Sequence, residues 1–297
     1  MDLSVKIGST VFKNPITVAS GTFNFGEEIK RLYDPSVLGA IFLKGLTLKK
    51  REGNFIPRIC ETPSGFLNSI GLQNPGIKEF VNKIYPKIKK EINTLLIPNL
   101  SGFTVDEYVE LVRIIEKYTD IKIVEINVSC PNIHKNGKVF ASDKEILKNI
   151  ITRIKESVSL DIIVKLSPNV SDIGEIARVV EQSGGDAISA INTLLAMEID
   201  VNKRKPVLAN VFGGLSGPAI RPVALRCVYQ IYEVVKIPII GIGGITSFED
   251  VLKFFYAGAQ IVSIGTANFY DPFLPVRIIN YLKEKRIHLK EIVGIAH

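Results

Sequence analysis

Residues 237–267 read IPIIGIGGITSFEDVLKFFYAGAQIVSIGTA. Two nearly continuous apolar runs, IPIIGIGG (237–244) and IVSIGTA (261–267), flank an amphipathic stretch at 247–257. A strand covered on both faces is apolar along its whole length, whereas the helix that returns the chain to a parallel neighbour needs a single apolar stripe. The pattern therefore predicts a parallel strand–helix–strand unit. Both of its strands end in glycine, at Gly243-Gly244 and at Gly265-Thr266.

The same alternation extends back to residue 16. Further strands are expected at 16–20, 40–45, 94–100, 122–129, 161–167 and 186–192, and helices at 76–90, 104–118, 143–158, 172–183, 222–235 and 272–286. Thr104 and Ser171 are expected as helix N-caps, and Asp271-Pro272 is expected to place proline in a first helical turn. Eight strands linked by helices close most simply into an α/β fold, a single (β/α)8 TIM barrel occupying residues 1–297 as one domain. An open doubly wound sheet is the alternative. The lack of a GxGxxG turn after the first strand favours the barrel. The N-terminal MDLSVKIGSTVF reads as a short β-hairpin turning at Gly8-Ser9. Long active-site loops are expected after strands 2, 4 and 6, two of them spanning 46–75 and 193–221.

The chain has 297 residues, 46% of them hydrophobic, a net charge of +7 and a mean hydropathy of +0.22. A large core is affordable and disorder is excluded. No apolar run approaches the ~18 residues that span a bilayer, and the N-terminus lacks the pattern of a signal peptide. A cytoplasmic enzyme with no membrane association is expected. The basic residues cluster only weakly, at Lys83–Lys90 and Lys283–Lys290, on helix-like segments that read as solvated faces. No nucleic-acid partner is expected, although a positive field favours an anionic ligand. Cys60, Cys130 and Cys227 are odd in number and far apart, which fits free thiols and no metal or cluster site.

Four groups of residues carry chemistry. The glycine-rich ends of strands seven and eight suit a phosphate, because glycine lets backbone N–H groups approach the oxygens and the Thr266 hydroxyl adds a donor. This pattern does not separate FMN from a sugar phosphate. Asn68, Asn99, Asn127 and Asn192 lie at strand ends or in the loop after strand two, where a carboxamide pairs with the amide edges of a planar heterocycle. Lys44 and Lys165 end or occupy inward-facing strands and call for an anionic ligand or an internal salt bridge. Cys130 follows strand four directly and has the chemistry of a nucleophile or general base. His134 is close in sequence, but spacing within a loop implies no contact. Cys60 and Cys227 read as structural.

These segments resemble a known family along nearly the whole chain and in order. They are ASGTF (19–23), FLKG (42–45), ETPSGFLNSIGLQNPG (61–76), NVSCPN (127–132), VKLSPN (164–169), INTL (191–194), RKPVLANVFGGLSGPAIRP (204–222), GIGGI (241–245) and SIGTA (263–267). They are similar to the class 1B dihydroorotate dehydrogenases, with GLQNPG and GGLSGPAI favouring that subclass over the fumarate-linked 1A enzymes. A cysteine in place of serine at 130 separates the chain from class 2. The resemblance implies FMN bound by Ser20, Lys44, Gly45, Asn99, Asn127, Lys165, Ile191, Gly217, Gly243, Gly244, Gly265 and Thr266. It implies substrate contacts from Lys44, Asn68, Ser69, Ile70, Gly71, Leu72, Asn127, Asn192 and Thr193. Cys130 is implied as the base that removes the carbon-5 proton of (S)-dihydroorotate while hydride leaves carbon 6 for FMN, a step of de novo pyrimidine (UMP) biosynthesis.

The resemblance further implies a partner subunit carrying FAD and a [2Fe–2S] cluster, which passes electrons to NAD+ in a heterotetramer of two catalytic and two electron-transfer chains. Use of fumarate or another acceptor is the alternative. The chain departs from the family pattern at Asn24, Asn136 and Ala141-Ser142, all of them loop positions. Two rival readings stand outside the family. One is a lyase or isomerase acting on a phosphorylated substrate; the other is a non-catalytic binding role resting on the basic charge.

Overall fold

Eight short strands carry the apolar runs: β1 (Ile16–Val18), β2 (Ala40–Leu46), β3 (Leu95–Leu100), β4 (Ile123–Asn127), β5 (Asp161–Leu166), β6 (Ala187–Ala190), β7 (Ile239–Ile242) and β8 (Ile261–Ile264). In the computed structural model, which describes residues 2–129 and 143–297, each strand pairs in parallel with the next. β8 returns to β1, so the eight form a closed barrel. The expected barrel is observed, and closure removes the exposed strand edges that an open sheet would leave.

Strand residues alternate between two cores. Ala40, Phe42, Ile97, Ile123, Ile163, Ala187, Ile240 and Ile261 fill the barrel interior. Their neighbours Ile41, Leu43, Leu96, Val124, Ile162, Val164, Ile188 and Val262 pack outward against the helices. Both faces are dry, which is why the strands read as continuous apolar runs instead of alternating ones. Burying each such Ile or Leu contributes about 1.5–3 kcal/mol.

The helices wrap this sheet. They are α1 (77–91), α2 (Val105–Tyr118), α3 (Lys144–Ser157), α4 (Ile173–Gln182), α5 (Arg221–Tyr232), α6 (Phe248–Tyr256) and α7 (Leu274–Glu284). α1 holds a π turn at Phe80–Ile84. Pro86 lies two residues past that turn; it has no N–H to donate, and a helical proline ring crowds the carbonyl four residues back, here that of Asn82. α2 buries Tyr108, Leu111, Val112 and Ile115 on one stripe, and its N-cap Thr104 accepts from Glu107 N–H at 3.1 Å, as expected.

Two helix starts differ from expectation. Asp172, and not Ser171, caps α4, accepting from Glu175 N–H at 3.0 Å; a carboxylate there also favours the positive helix end. Pro275, and not Pro272, occupies the first turn of α7. No α-helix follows β1. Gly26 and Pro35 bracket a stretch too short for one, and 3-10 turns at Ile29–Arg31 and Pro35–Val37 fill the place.

The N-terminal hairpin pairs Val5–Ile7 with Thr10–Phe12. It closes the bottom of the barrel, where Ile7 and Phe12 join the interior cluster. At the opposite, C-terminal mouth the two long connections form one sheet. Strands Ile59–Thr62, Gly65–Asn68, Phe212–Ser216 and Leu194–Met197 pair antiparallel in that order. The loops after β2 and β6 are thus a joint wall of the mouth. Among the described residues no helix is long and apolar enough to cross a membrane.

Candidate active site

Alternation decides what the barrel mouth contains. The inward set that begins with Ile97, Ile123, Ile163 and Ala187 continues, two residues later on each strand, as Asn99, Glu125, Lys165 and Ser189. On β2 the register shifts between Leu43 and Gly45, so Gly45 stands opposite Asn99 and Lys44 occupies the irregularity. A polar layer therefore lies directly above the apolar plug. Glu125 is 0% exposed and accepts from Ser189 Oγ at 2.6 Å and from the Asn99 carboxamide. Lys165 Nζ stands 3.7 Å from Glu125 Oε2 and 3.5 Å from Ser20 Oγ.

Lys165 is only 6% exposed, yet neither neighbour lies at the ~2.7–3.2 Å of a well-formed hydrogen bond. Among the described residues its ammonium is therefore only loosely engaged. Lys44, half-buried, has no ion pair or side-chain hydrogen bond among the described residues. Burial pushes its ammonium below the usual lysine value, the Arg58 charge adds to this, and Glu28 offsets part of it. Such a pair of under-satisfied cations suits a ligand that carries or develops negative charge.

The asparagines form a second group. Asn192 Nδ2 lies 3.4 Å from Asn127 Oδ1, which also accepts Ser129 N–H at 3.1 Å. Tyr108 Oη donates to the Asn127 carbonyl at 2.7 Å and anchors the end of β4. Thr193 N–H donates to Asn192 Oδ1 at 2.7 Å, and a side chain on Gly214 would begin 2.0 Å from Thr193 Oγ1. Asn68 donates to the Gly214 carbonyl at 3.2 Å. Asn68, Asn127, Asn192 and Thr193 are thereby brought together through the joint sheet.

The run Ser69 to Leu72 is held in place by its neighbours. Asn54 donates to Ser69 Oγ at 2.9 Å, and Asn74 donates to the Leu72 carbonyl at 2.7 Å. Leu72 reaches Gly45, where a side chain would begin 3.7 Å from Leu72 Cδ2 and 3.0 Å from Asn99 Oδ1.

The third group is a glycine cradle at the ends of β7 and β8. Gly244 has φ +70°, and a Cβ there would lie 2.8 Å from the Gly217 carbonyl and 2.7 Å from Arg221 Cβ. A Cβ on Gly243 would begin 2.7 Å from Ala224 and 3.7 Å from Ile191. Thr266 Oγ1 donates to Ser216 Oγ at 2.8 Å. Gly217 precedes the turn Pro218–Ile220 and then α5, so the cradle faces a helix start. Beside Gly265 only Ala19 Cβ, at 3.7 Å, lies within 4 Å of an added Cβ, so this edge of the cradle is open.

Behind the cradle, Arg221 pairs with the buried Asp250 at 2.8 Å. Burial pushes the Asp250 carboxyl up. Hydrogen bonds from Thr246, the Arg221 charge and a bond from Lys253 outweigh that push and hold it below the usual carboxylate value.

With a glycine cradle, a carboxamide pair and a buried, loosely engaged ammonium around one mouth, the residues present fit FMN. Cys130, His134, Asn136 and Ala141-Ser142 lie outside the described residues. Burial, with the charges of Glu198 and Glu61, pushes the Cys60 thiol up, and burial does the same to Cys227. Both shifts disfavour the thiolate, the reactive form. Asn24 adopts φ +47° and donates to Glu28 at 2.7 Å. Asparagine tolerates this left-handed backbone, so the departure from glycine is accommodated.

A family model described as "Dihydroorotate dehydrogenase" matches residues 2–285. The chain belongs to the dihydroorotate dehydrogenase family. A relative from Desulforamulus reducens, named "Dihydroorotate dehydrogenase B (NAD(+)), catalytic subunit", is 51% identical over 302 residues, covering 100% of this chain and 99% of its own. A relative of the same name from Brachyspira hyodysenteriae is 47% identical over 301 residues, covering 99% of each chain. One from Aquifex aeolicus, named "Putative dihydroorotate dehydrogenase A (fumarate)", is 51% identical over 304 residues, covering 100% of this chain and 99% of its own.

The sequence reading passed over Glu125, Ser189, Ser216 and Arg58. Glu125 had a visible signal: a lone acid inside the apolar run KIVEINVS, two residues before Asn127 and so on the same face. Ser189, Ser216 and Arg58 had none, since they matter only through neighbours distant in the chain.

Proposed function

We propose that the chain, working as one catalytic unit, oxidises (S)-dihydroorotate to orotate in pyrimidine biosynthesis as the FMN-bearing subunit of a class 1B dihydroorotate dehydrogenase. The observation that carries this reading is the buried Lys165 ammonium, held only by long contacts to Ser20 and Glu125, in a mouth shared with the Asn127–Asn192 pair and the glycine cradle. Bound FMN would supply the hydride acceptor. Ser20, Lys44, Gly45, Asn99, Asn127, Lys165 and Ile191 would hold its ring, and Gly217, Gly243, Gly244, Gly265 and Thr266 its phosphate.

Asn68 to Leu72, Asn127, Asn192 and Thr193 would bind the substrate's imide edges, and Lys44 its charge. Cys130 would take the carbon-5 proton as general base. The enolate oxygen that develops needs donors already in place, a role that the Asn127–Asn192 pair and Lys44 can fill.

The B-type names of the Desulforamulus and Brachyspira relatives support electron delivery to NAD+ through a second subunit; on our reading that subunit carries FAD and [2Fe–2S]. A cytoplasmic heterotetramer of two catalytic and two electron-transfer chains follows from that reading. The Aquifex name supports a second reading in which fumarate takes the electrons directly.

An anaerobic titration decides the catalytic reading. The purified chain should be yellow, and dihydroorotate should bleach it. A yellow protein that dihydroorotate leaves unbleached would refute the substrate, and a colourless chain that takes up no FMN would refute the flavin. Reoxidation of the bleached chain by fumarate, with no need of a second subunit, would favour the second acceptor.

A further inference from the structure

Glu125 lies beneath the proposed flavin site and has no part in the chemistry described above. It is an acid at 0% exposure in the interior of β4, bridging three other strands: Asn99 on β3, Lys165 on β5 and Ser189 on β6. Burying a carboxylate is costly unless it is paired and hydrogen-bonded, and this one is both. A purely structural pair would draw the ammonium close. Here the two charged atoms stay 3.7 Å apart, and the other described partner of Lys165 Nζ, Ser20 Oγ, lies 3.5 Å away. The carboxylate is instead bonded tightly to two neutral donors. Lys165 is thus divided between a fixed anion below and a ligand above.

We infer that Glu125 is a positioning residue which orients Asn99 and Lys165 and cancels part of the Lys165 charge, thereby lowering the reduction potential of the bound flavin. The inference rests on the FMN reading above. A floor of charge near zero gives little preference for the more negative, reduced form of FMN. An unbalanced lysine would favour that form, because electrostatics act strongly where water is excluded. The ratio of affinities for the two redox forms equals the shift in potential by linkage.

The test is the midpoint potential of bound FMN, measured by dye-coupled anaerobic titration of the full chain. Glu125→Gln keeps the size and a hydrogen-bonding acceptor but removes the charge. It should raise the preference for reduced FMN at least about tenfold, an upward shift of ~30 mV for a two-electron couple. Lys165→Met should shift the potential downward, and the double variant, which removes a neutral pair, should return it toward the parent value. If Glu125→Gln alone does not fold, the double variant measured against Lys165→Met reads the same charge and should lie above it. An unchanged potential in yellow, folded Glu125→Gln, or a double variant no higher than Lys165→Met, overturns the inference while leaving the FMN reading intact. A parent chain that takes up no FMN removes both.

Discussion

The Asp161 carboxylate and the Thr10 hydroxyl meet at 2.6 Å, tying the N-terminal hairpin to the first residue of β5 across 151 positions of sequence. The same carboxylate accepts from Thr10 N–H at 3.0 Å and Ser9 Oγ at 2.9 Å. Gly8 makes room for it, since a Cβ there would begin 2.0 Å from Asp161 Oδ1 in a backbone of φ +54°. The barrel is thus latched at its bottom, at the end opposite the mouth.

Replacing Asp161 by Ala leaves the buried Thr10 donors and the more exposed Ser9 donors without their shared acceptor. The expected loss is about 2–5 kcal/mol, or a fall in Tm of roughly 5–15 °C for a chain of this size. FMN affinity measured at low temperature should change less than twofold (about 0.4 kcal/mol), because the latch and the cradle lie at opposite ends. A large loss of FMN binding by folded protein would show that the two ends are coupled.

Gly265 and Gly244 separate the two uses of glycine in the cradle. Gly265→Ala meets only Ala19, at 3.7 Å, so thermal stability without ligand should be unchanged. FMN affinity should nonetheless fall about tenfold, or ~1.4 kcal/mol, if the open space is where the phosphate lies. Gly244→Ala collides with the Gly217 carbonyl and Arg221, and should lower both stability and affinity. Gly265→Ala that binds FMN as tightly as the parent would move the phosphate elsewhere.

Cys130→Ala removes the proposed base and leaves every cradle residue as it is. Stopped-flow reduction of bound FMN by dihydroorotate should slow by about 10²–10⁴-fold, with FMN retained in full. Reduction at the parent rate would exclude Cys130 from proton removal.

Lys44 gives a pH signature. Burial and the Arg58 charge hold its ammonium below the usual lysine value, so it is cationic only below that lowered value. Orotate binding should weaken as the pH rises through it, at a pH below the ~10.4 of an exposed lysine. Arg58→Ala removes the repelling charge and should move the weakening to higher pH; Lys44→Met should abolish it. Flat orotate affinity across alkaline pH in the parent chain would exclude a binding role for the Lys44 charge.

The barrel and the strand ends that line its mouth were legible in the sequence because they are local. Short apolar runs spaced by amphipathic stretches specify parallel strands and their helices. Strand ends carrying Gly243-Gly244, Gly265-Thr266, Asn127 and Lys165 lie on one rim once every strand runs the same way. Helix starts were less legible: Ser171 and Asp172 are both plausible caps, and only the backbone geometry at the start of α4 selects the carboxylate. The connections 46–75 and 193–221 gave no strand signal that would pair them, because strands from separate loops find their register only when the barrel brings β2 and β6 to the same mouth.

By itself, then, the sequence determined the succession of strands and helices and hence the barrel. Tertiary structure alone decided that Glu125 lies between Lys165, Asn99 and Ser189, that Asn68 reaches Thr193 through Gly214, and that Asp161 holds Thr10. The physical reason is range. Propensity and periodicity act over a few residues, whereas the charge balance of a buried group depends on partners that only chain closure brings within a few ångströms.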